Sequence, residues 1–318
     1  MLLNQTLSAV PEGAEEIRLK LPHLELAALA WGDPEAKPLL ALHGWLDNAM
    51  TFVKLAPALA AAGYRVVALD FAGHGFSDWR PAGQTYHLLD NCFDVQAAAI
   101  ALGWKQFTLV GHSMGAGIAS LLAGAQPSVI EKLVLIDGIG TLTTADKDAA
   151  DQLGQAMSRW IGYQQKSQKN DDKDVVSAFS GKIYPSIDAA AKARMLGVGA
   201  VDYPAALQLC QRALQAVDPA DANTGWFWRS DSRLRHPSAL RLNEAQNLSF
   251  MSAIEAPTMM LEGDKGLMVK RPEIATRVQS IKNAQKLSLA GGHHLHLEET
   301  SCEATTAAVI NFLNESKG

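Results

Sequence analysis

The chain has 318 residues, 48% of them hydrophobic and 19% charged, with a net charge of −5. That balance excludes a disordered or fibrous chain, and it offers no basic surface for nucleic acid or an anionic membrane. Length alone predicts two domains, or one large domain with an insertion, whose core needs no disulfide staples.

Three cysteines, Cys92, Cys210 and Cys302, lie far apart and match neither a disulfide framework nor a zinc motif. They are expected to be reduced thiols in a cytoplasmic protein. The first residues, MLLNQTLSAVPEGAEE, lack the basic start and apolar run of a signal peptide. No window approaches the roughly 18 apolar residues of a membrane span.

In chain order, EEIRLKL (15–21) and LELAALAW (24–31) predict a hairpin. PLLALHG (38–44) is a short apolar run ending at glycine, as a buried strand should. TFVKLAPALAAAG (51–63) has helical spacing and a glycine stop, and YRVVALD (64–70) is β-branched and apolar. A helix is expected over 85–102, a strand at FTLVG (107–111), a small-residue helix at 114–127 and a strand at EKLVLID (131–137). From 140 to 235 the composition is helical, with a polar run at 164–174 and no obvious buried strand. The alternation resumes with APTMMLEG (256–263), a helix over 272–283, KLSLAGG (286–292) and a last helix over 300–315.

Alternating strands and helices imply a mostly parallel sheet covered on both faces. The expected architecture is α/β: an eight-stranded sheet built from 1–139 and 236–318, with a helical cap at 140–235. A segment inserted between two strand tips lies over the carboxyl ends of the strands, where open α/β sheets bind ligands.

Four motifs carry chemistry. GHSMG (111–115) follows a strand and opens a helix, the context in which Gly-x-Ser-x-Gly is a nucleophile elbow presenting Ser113. The Met114 N–H then points at a developing oxyanion, and LHGW (42–45) offers the Trp45 N–H as a second donor. In DFAGHGFSD (70–78), Asp70 and Asp78 are expected to fix a loop by accepting backbone hydrogen bonds, and His74 to be exposed and structural. GGHHLHLEE (291–299) supplies three candidate bases, His293, His294 and His296, one of which must take the serine proton. A His-x-His cluster can bind metal, but no cysteine or acidic spacing supports one here. No glycine-rich phosphate loop is present, so neither metal nor cofactor is implied.

These motifs, in this order, resemble the α/β-hydrolase superfamily over both flanks of the chain, and within it the serine hydrolase-like branch. In that branch the base is the histidine directly after glycine, which implies His293, with His296 and Glu298 in support and His294 incidental. The resemblance places the acid in a Gly-x-x-Asp loop after the cap, but here EGDKGLMV puts Gly266 at that position and Asp264 two residues early. The alternative position, the tip of the strand before the cap, holds Asp137 in LVLID. Asp137 and Asp264 both remain candidates to orient the imidazole.

Serine at the elbow argues against epoxide or carbon–halogen chemistry, which relatives perform with aspartate there. It favours hydrolysis of a small or medium ester through an acyl-enzyme. The alternatives are carbon–carbon bond hydrolysis by the same triad, or a non-catalytic ligand-binding relative. The expected partner is a small-molecule substrate, on a monomer or homodimer, with no nucleic acid or membrane. Trp160, Trp226 and Trp228 are the candidate substrate-binding residues, with Met157, Phe179, Met195 and Phe227 nearby in sequence. Arg229, Arg233 and Arg235 offer either a carboxylate clamp or a solvated basic face.

Overall fold

The computed structural model describes residues 10–169, 182–197 and 199–315. Strands β1 (Glu15–Lys20) and β2 (Glu25–Trp31) form the expected hairpin, followed by β3 (Lys37–Leu42), β4 (Tyr64–Leu69), β5 (Phe107–His112) and β6 (Ile130–Ile136). Strands β7 (Leu214–Asp218) and β8 (Asp221–Trp228) form a separate two-stranded sheet, which Tyr184 joins through a bridge to Trp226, and β9 (Thr258–Gly263) and β10 (Ala284–Leu289) return to the main sheet. That sheet has eight strands in the order β1-β2-β4-β3-β5-β6-β9-β10. The pairings β1–β2 and β2–β4 are antiparallel and the rest are parallel.

The inner strands are largely apolar because both of their faces are buried, whereas the edge strands β1 and β10 are mostly polar and exposed. Side chains alternate between the faces: Leu40, Leu42, Val67, Leu69, Leu133 and Leu135 enter one core, while Leu39, Ala41, Val66, Ala68, Val134 and Ile136 enter the other. Helices α1 (Leu55–Ala61), α2 (Asp90–Ala101) and α3 (Met114–Ala125) cover the first half of the sheet. After the inserted segment, which contains α4 (Ala149–Lys169), α5 (Ile187–Arg194) and α6 (Tyr203–Ala213), come α7 (Glu244–Ser252), α8 (Glu273–Gln279) and α9 (Cys302–Asn314). Residues of α2, α3, α7 and α8 line the first core, and those of α1 and α9 the second.

The inserted segment has a small core of its own, in which Ala190, Ala191, Ala205, Ala206, Leu209 and Leu214 pack together. It is not wholly helical as expected, because residues 214–228 form the antiparallel hairpin β7–β8. Each strand is short and half-exposed, so no apolar run betrayed it. Phe179 and the end of the polar run 164–174 lie outside the described residues.

A buried ion pair seats this segment on the sheet. Arg212 Nε of α6 donates to Asp70 Oδ2 at 2.6 Å, and its Nη1 donates to Glu16 at 2.8 Å. Both Arg212 and Asp70 are fully buried, and an uncompensated charge left in such a place costs about 3–5 kcal/mol. Asp70 also accepts from Ala49 N–H and Phe76 N–H, and Asp78 from Glu25 N–H, the loop-fixing roles read from DFAGHGFSD.

Candidate active site

Because β3, β5, β6, β9 and β10 are parallel, their carboxyl ends meet at one edge of the sheet. Ser113 sits between β5 and α3 with φ 53° and ψ −115°. Its neighbours force this bend. A Cβ on Gly111 would meet the Gly115 carbonyl at 2.5 Å, and one on Gly115 would overlap the Leu42 carbonyl. Only glycine allows strand and helix to cross so closely. Among the described residues, the non-glycine residues at positive φ are Leu46 (61°), Ser113 (53°) and Asp137 (41°). All three lie at this sheet edge. Such strain costs of order 1–3 kcal/mol each and gathers where function over-determines geometry.

Met114 opens α3, where a helix leaves its first N–H groups without intrahelical acceptors. The Trp45 N–H likewise has no backbone acceptor among the described residues. The Trp45 side chain is 44% exposed, and its indole donates to the Leu234 carbonyl at 3.0 Å.

Two buried histidines hold the turn around Trp45. His43 Nε2 accepts the Phe71 N–H at 3.0 Å, so its Nδ1 carries the proton and donates to the Gly44 carbonyl at 2.7 Å. His74 Nε2 accepts the Leu46 N–H at 3.2 Å, and its Nδ1 donates to the Ala72 carbonyl at 3.1 Å. His74 is therefore structural as expected, but buried rather than exposed. Burial lowers the His43 pKa, and burial with the neighbouring His43 pushes His74 down to about 3. A proton added to either ring would face a backbone N–H, so both stay neutral.

The sign of the resulting pH dependence follows. A base whose folded pKa lies below its unfolded value binds fewer protons when folded. Its contribution is complete above pH 6.5, the ordinary histidine value, and is lost as pH falls toward the folded pKa. The unfolding free energy from urea titrations should therefore decrease as pH drops below 6.5, approaching a slope of about 1.4 kcal/mol per pH unit for each such histidine. A flat profile between pH 8 and 5 (about that range in a urea series) would contradict neutral burial.

Asp137, at the tip of β6, is the carboxylate that reaches the imidazole. His293 Nδ1 lies 2.5 Å from Asp137 Oδ2, which also accepts the Leu267 N–H at 2.8 Å. Asp264 does not reach His293. It is exposed and accepts the Gly291 N–H at 2.9 Å, closing the loop beside β10. Gly266 explains the exchange of positions, because a Cβ there would overlap Asp137 Oδ1. Among the described contacts Ser113 Oγ makes no hydrogen bond, to His293 or to another group. Catalytic hydrogen bonds are often loose before substrate binds.

His294 is not incidental. It is buried, and its Nε2 lies 2.9 Å from Asp47 Oδ2. Asp47 Oδ1 accepts from Arg194 of α5 at 2.8 Å, and Arg194 also donates to the Gly199 carbonyl at 3.0 Å. Gly199 packs on His293, since a Cβ there would stand 2.7 Å from its Cδ2. Arg194 thus ties the inserted segment to the Trp45 loop and to the imidazole together. His296 contacts Thr51 Oγ1 at 2.9 Å, and Glu298 accepts the Asp202 N–H at 3.2 Å. Burial, with Asp202 nearby, raises the Glu298 pKa. The sequence singled out neither Asp47, His112 nor Arg194. Their only trace was the His-x-His pattern, whose acidic partner comes from the opposite end of the chain.

Of the candidate substrate residues, Trp226 and Trp228 pack against the inserted segment's own core. Trp160 instead lines a cleft of about 430 Å³ with Trp79, Arg80, Tyr163 and Arg233. The arginines form neither a carboxylate clamp nor one solvated face. Arg229 donates to the Gly75 carbonyl at 2.9 Å, and Arg233 is buried on Asp231 and the Arg80, Pro81 and Gln84 carbonyls, while Arg235 is exposed.

This sheet, elbow and histidine loop define a class, and comparison with known proteins agrees. The sequence profile of the alpha/beta hydrolase fold matches residues 37–300, and the chain belongs to that family. It is similar to a serine hydrolase-like protein of Dictyostelium discoideum, at 33% identity over 92% of this chain and 80% of the relative. Among solved structures, a hypothetical protein of Pseudomonas aeruginosa PAO1 shares 40% identity with a TM-score of 0.85, over 95% of this chain and 100% of that one. A thioesterase domain from the curacin biosynthetic pathway shares 27% identity with a TM-score of 0.76, over 95% of this chain and 99% of that domain. Among the described residues, no helix is long and apolar enough to cross a membrane.

Proposed function

We propose that the protein is a carboxylesterase-type serine hydrolase for small or medium acyl esters, with Ser113, His293 and Asp137 as its triad. The reading rests above all on strained Ser113 at the sheet edge that also carries an imidazole already oriented by a buried carboxylate. The His293 ring packs 4.6 Å from that of His112, the residue preceding the serine.

Ser113 Oγ attacks the substrate carbonyl carbon while His293 Nε2 takes its proton. Asp137 holds Nδ1–H, fixes this tautomer and stabilises the imidazolium. The Trp45 and Met114 N–H groups receive the oxyanion, each worth roughly 10²–10³ in rate. Collapse expels the alcohol, which takes the proton from His293. Water, deprotonated by the same ring, then releases the acid and restores Ser113. Thioesters follow the same course, and the likeness to a thioesterase domain supports including them. The segment 140–235 acts as the cap.

A fluorophosphonate probe tests this directly. We expect one equivalent bound, recovered by mass spectrometry on the peptide containing Ser113. Wild-type protein that stays unlabelled, or carries the label elsewhere, would overturn the reading.

A further inference from the structure

Behind the elbow lies a second group of side chains that ester hydrolysis does not use. Asp47, His112 and His294 are buried, and each offers a ligand atom within 4.8 Å of the others. His112 is the informative member. Its Nε2 stands 3.0 Å from the His293 carbonyl, which can only accept, so Nε2 carries the proton and Nδ1 is a bare lone pair. That Nδ1 is buried without a hydrogen-bond partner and faces Asp47 Oδ2 at 3.9 Å. Two electron-pair donors therefore confront each other out of reach of water.

Gly44 bounds the space between them. A Cβ there would stand 3.1 Å from His112 Nδ1 and 3.2 Å from Asp47 Oδ2. Arg194 Nη2 donates to the other carboxylate oxygen and stands 3.4 Å from His294 Nε2, while Oδ2 faces His112 and His294.

We propose that Asp47 Oδ2, His112 Nδ1 and His294 Nε2 bind a transition-metal cation of the Zn²⁺ or Cu²⁺ type, and that the bound ion inhibits the enzyme. Two imidazoles and one carboxylate select such ions over Mg²⁺ or Ca²⁺. Tetrahedral zinc with ordinary bond lengths separates its ligands by about 3.4 Å. The separations from Asp47 Oδ2, 2.9 Å to His294 and 3.9 Å to His112, bracket that value. His112 already donates its other nitrogen to a backbone carbonyl, as metal-binding imidazoles do. On binding, the His294 proton moves from Nε2 to Nδ1, and a water completes the coordination. The Arg194 charge weakens the site without closing it.

Inhibition follows from position. A dication beside His112 opposes a second positive charge on His293, whose ring is 4.6 Å away. It also pins His112, the residue preceding Ser113, and Asp47, two residues after Trp45. The binding claim stands apart from the proposed hydrolysis, and only the inhibition rests on it.

The test uses the whole protein with Zn²⁺ by calorimetry and Cu²⁺ by electron paramagnetic resonance. One saturable equivalent is expected, with nitrogen hyperfine structure from two imidazoles. His294→Gln should weaken Zn²⁺ by at least roughly 10-fold and relieve inhibition in parallel. His293→Gln should retain binding. No saturable binding at millimolar Zn²⁺ (order of magnitude set by ordinary weak association), or a spectrum lacking two nitrogens, would overturn the site. So would binding lost in His293→Gln but kept in His294→Gln, which would place the ion on the His293–Asp137 pair.

Discussion

Ser113→Ala is expected to lower kcat for p-nitrophenyl esters by about 10⁶-fold, the loss typical when a triad nucleophile is removed. KM should change little, because Oγ acts in the transition state rather than in holding substrate. The bend itself should persist. Alanine has a Cβ, so it inherits the φ of 53° with its strain, and the melting temperature should stay close to wild type. Ser113→Gly separates the two effects. It should be equally inactive yet more stable by about 1–3 kcal/mol, since glycine occupies positive φ without penalty. Calorimetric melting of both variants beside steady-state rates checks the pair. Turnover retained by Ser113→Ala would remove Ser113 as nucleophile. Unchanged stability in Ser113→Gly would show that the elbow stores no strain.

Much of this was legible because the physics is local. The inner strands β3, β4, β5, β6 and β9 announced themselves as largely apolar runs, since burial on both faces leaves few polar positions. The elbow was equally plain, because two glycines flanking serine are demanded by a crossing of backbones that nothing larger permits. What sequence did not disclose depends on contacts between distant segments. Asp47 and His294 stand 247 residues apart yet share a hydrogen bond. Nothing in LHGWLDN says that its aspartate meets a histidine loop from the other end of the sheet. Arg194 and Arg212 likewise look like ordinary helix surface until the inserted segment folds down on the loops. The hairpin Leu214–Asp218 and Asp221–Trp228 escaped notice because a two-stranded ribbon on a small core needs no continuous apolar run.

The choice between Asp137 and Asp264 shows the same divide, and its consequence for rate should be large. Asp137→Asn is expected to lower kcat by about 10⁴-fold. An amide at that place offers its N–H₂ to His293 Nδ1 and so favours the tautomer protonated on Nε2, which cannot accept the serine proton. Asp264→Asn should stay within a few-fold of wild type, because the asparagine oxygen can still accept the Gly291 N–H from an exposed loop. Similar losses in both, or a loss confined to Asp264→Asn, would overturn the assignment. Gly266 adds a sharper comparison. Its missing side chain opens toward the Asp137 carboxylate, so the two strand tips compete for one space. Asp137→Gly combined with Gly266→Asp moves the carboxylate from β6 to the loop after β9. The exchange also leaves glycine at the φ of 41° that aspartate now endures. If the imidazole requires only a buried carboxylate at Nδ1, whichever strand delivers it, the double variant should recover activity that Asp137→Gly alone has lost.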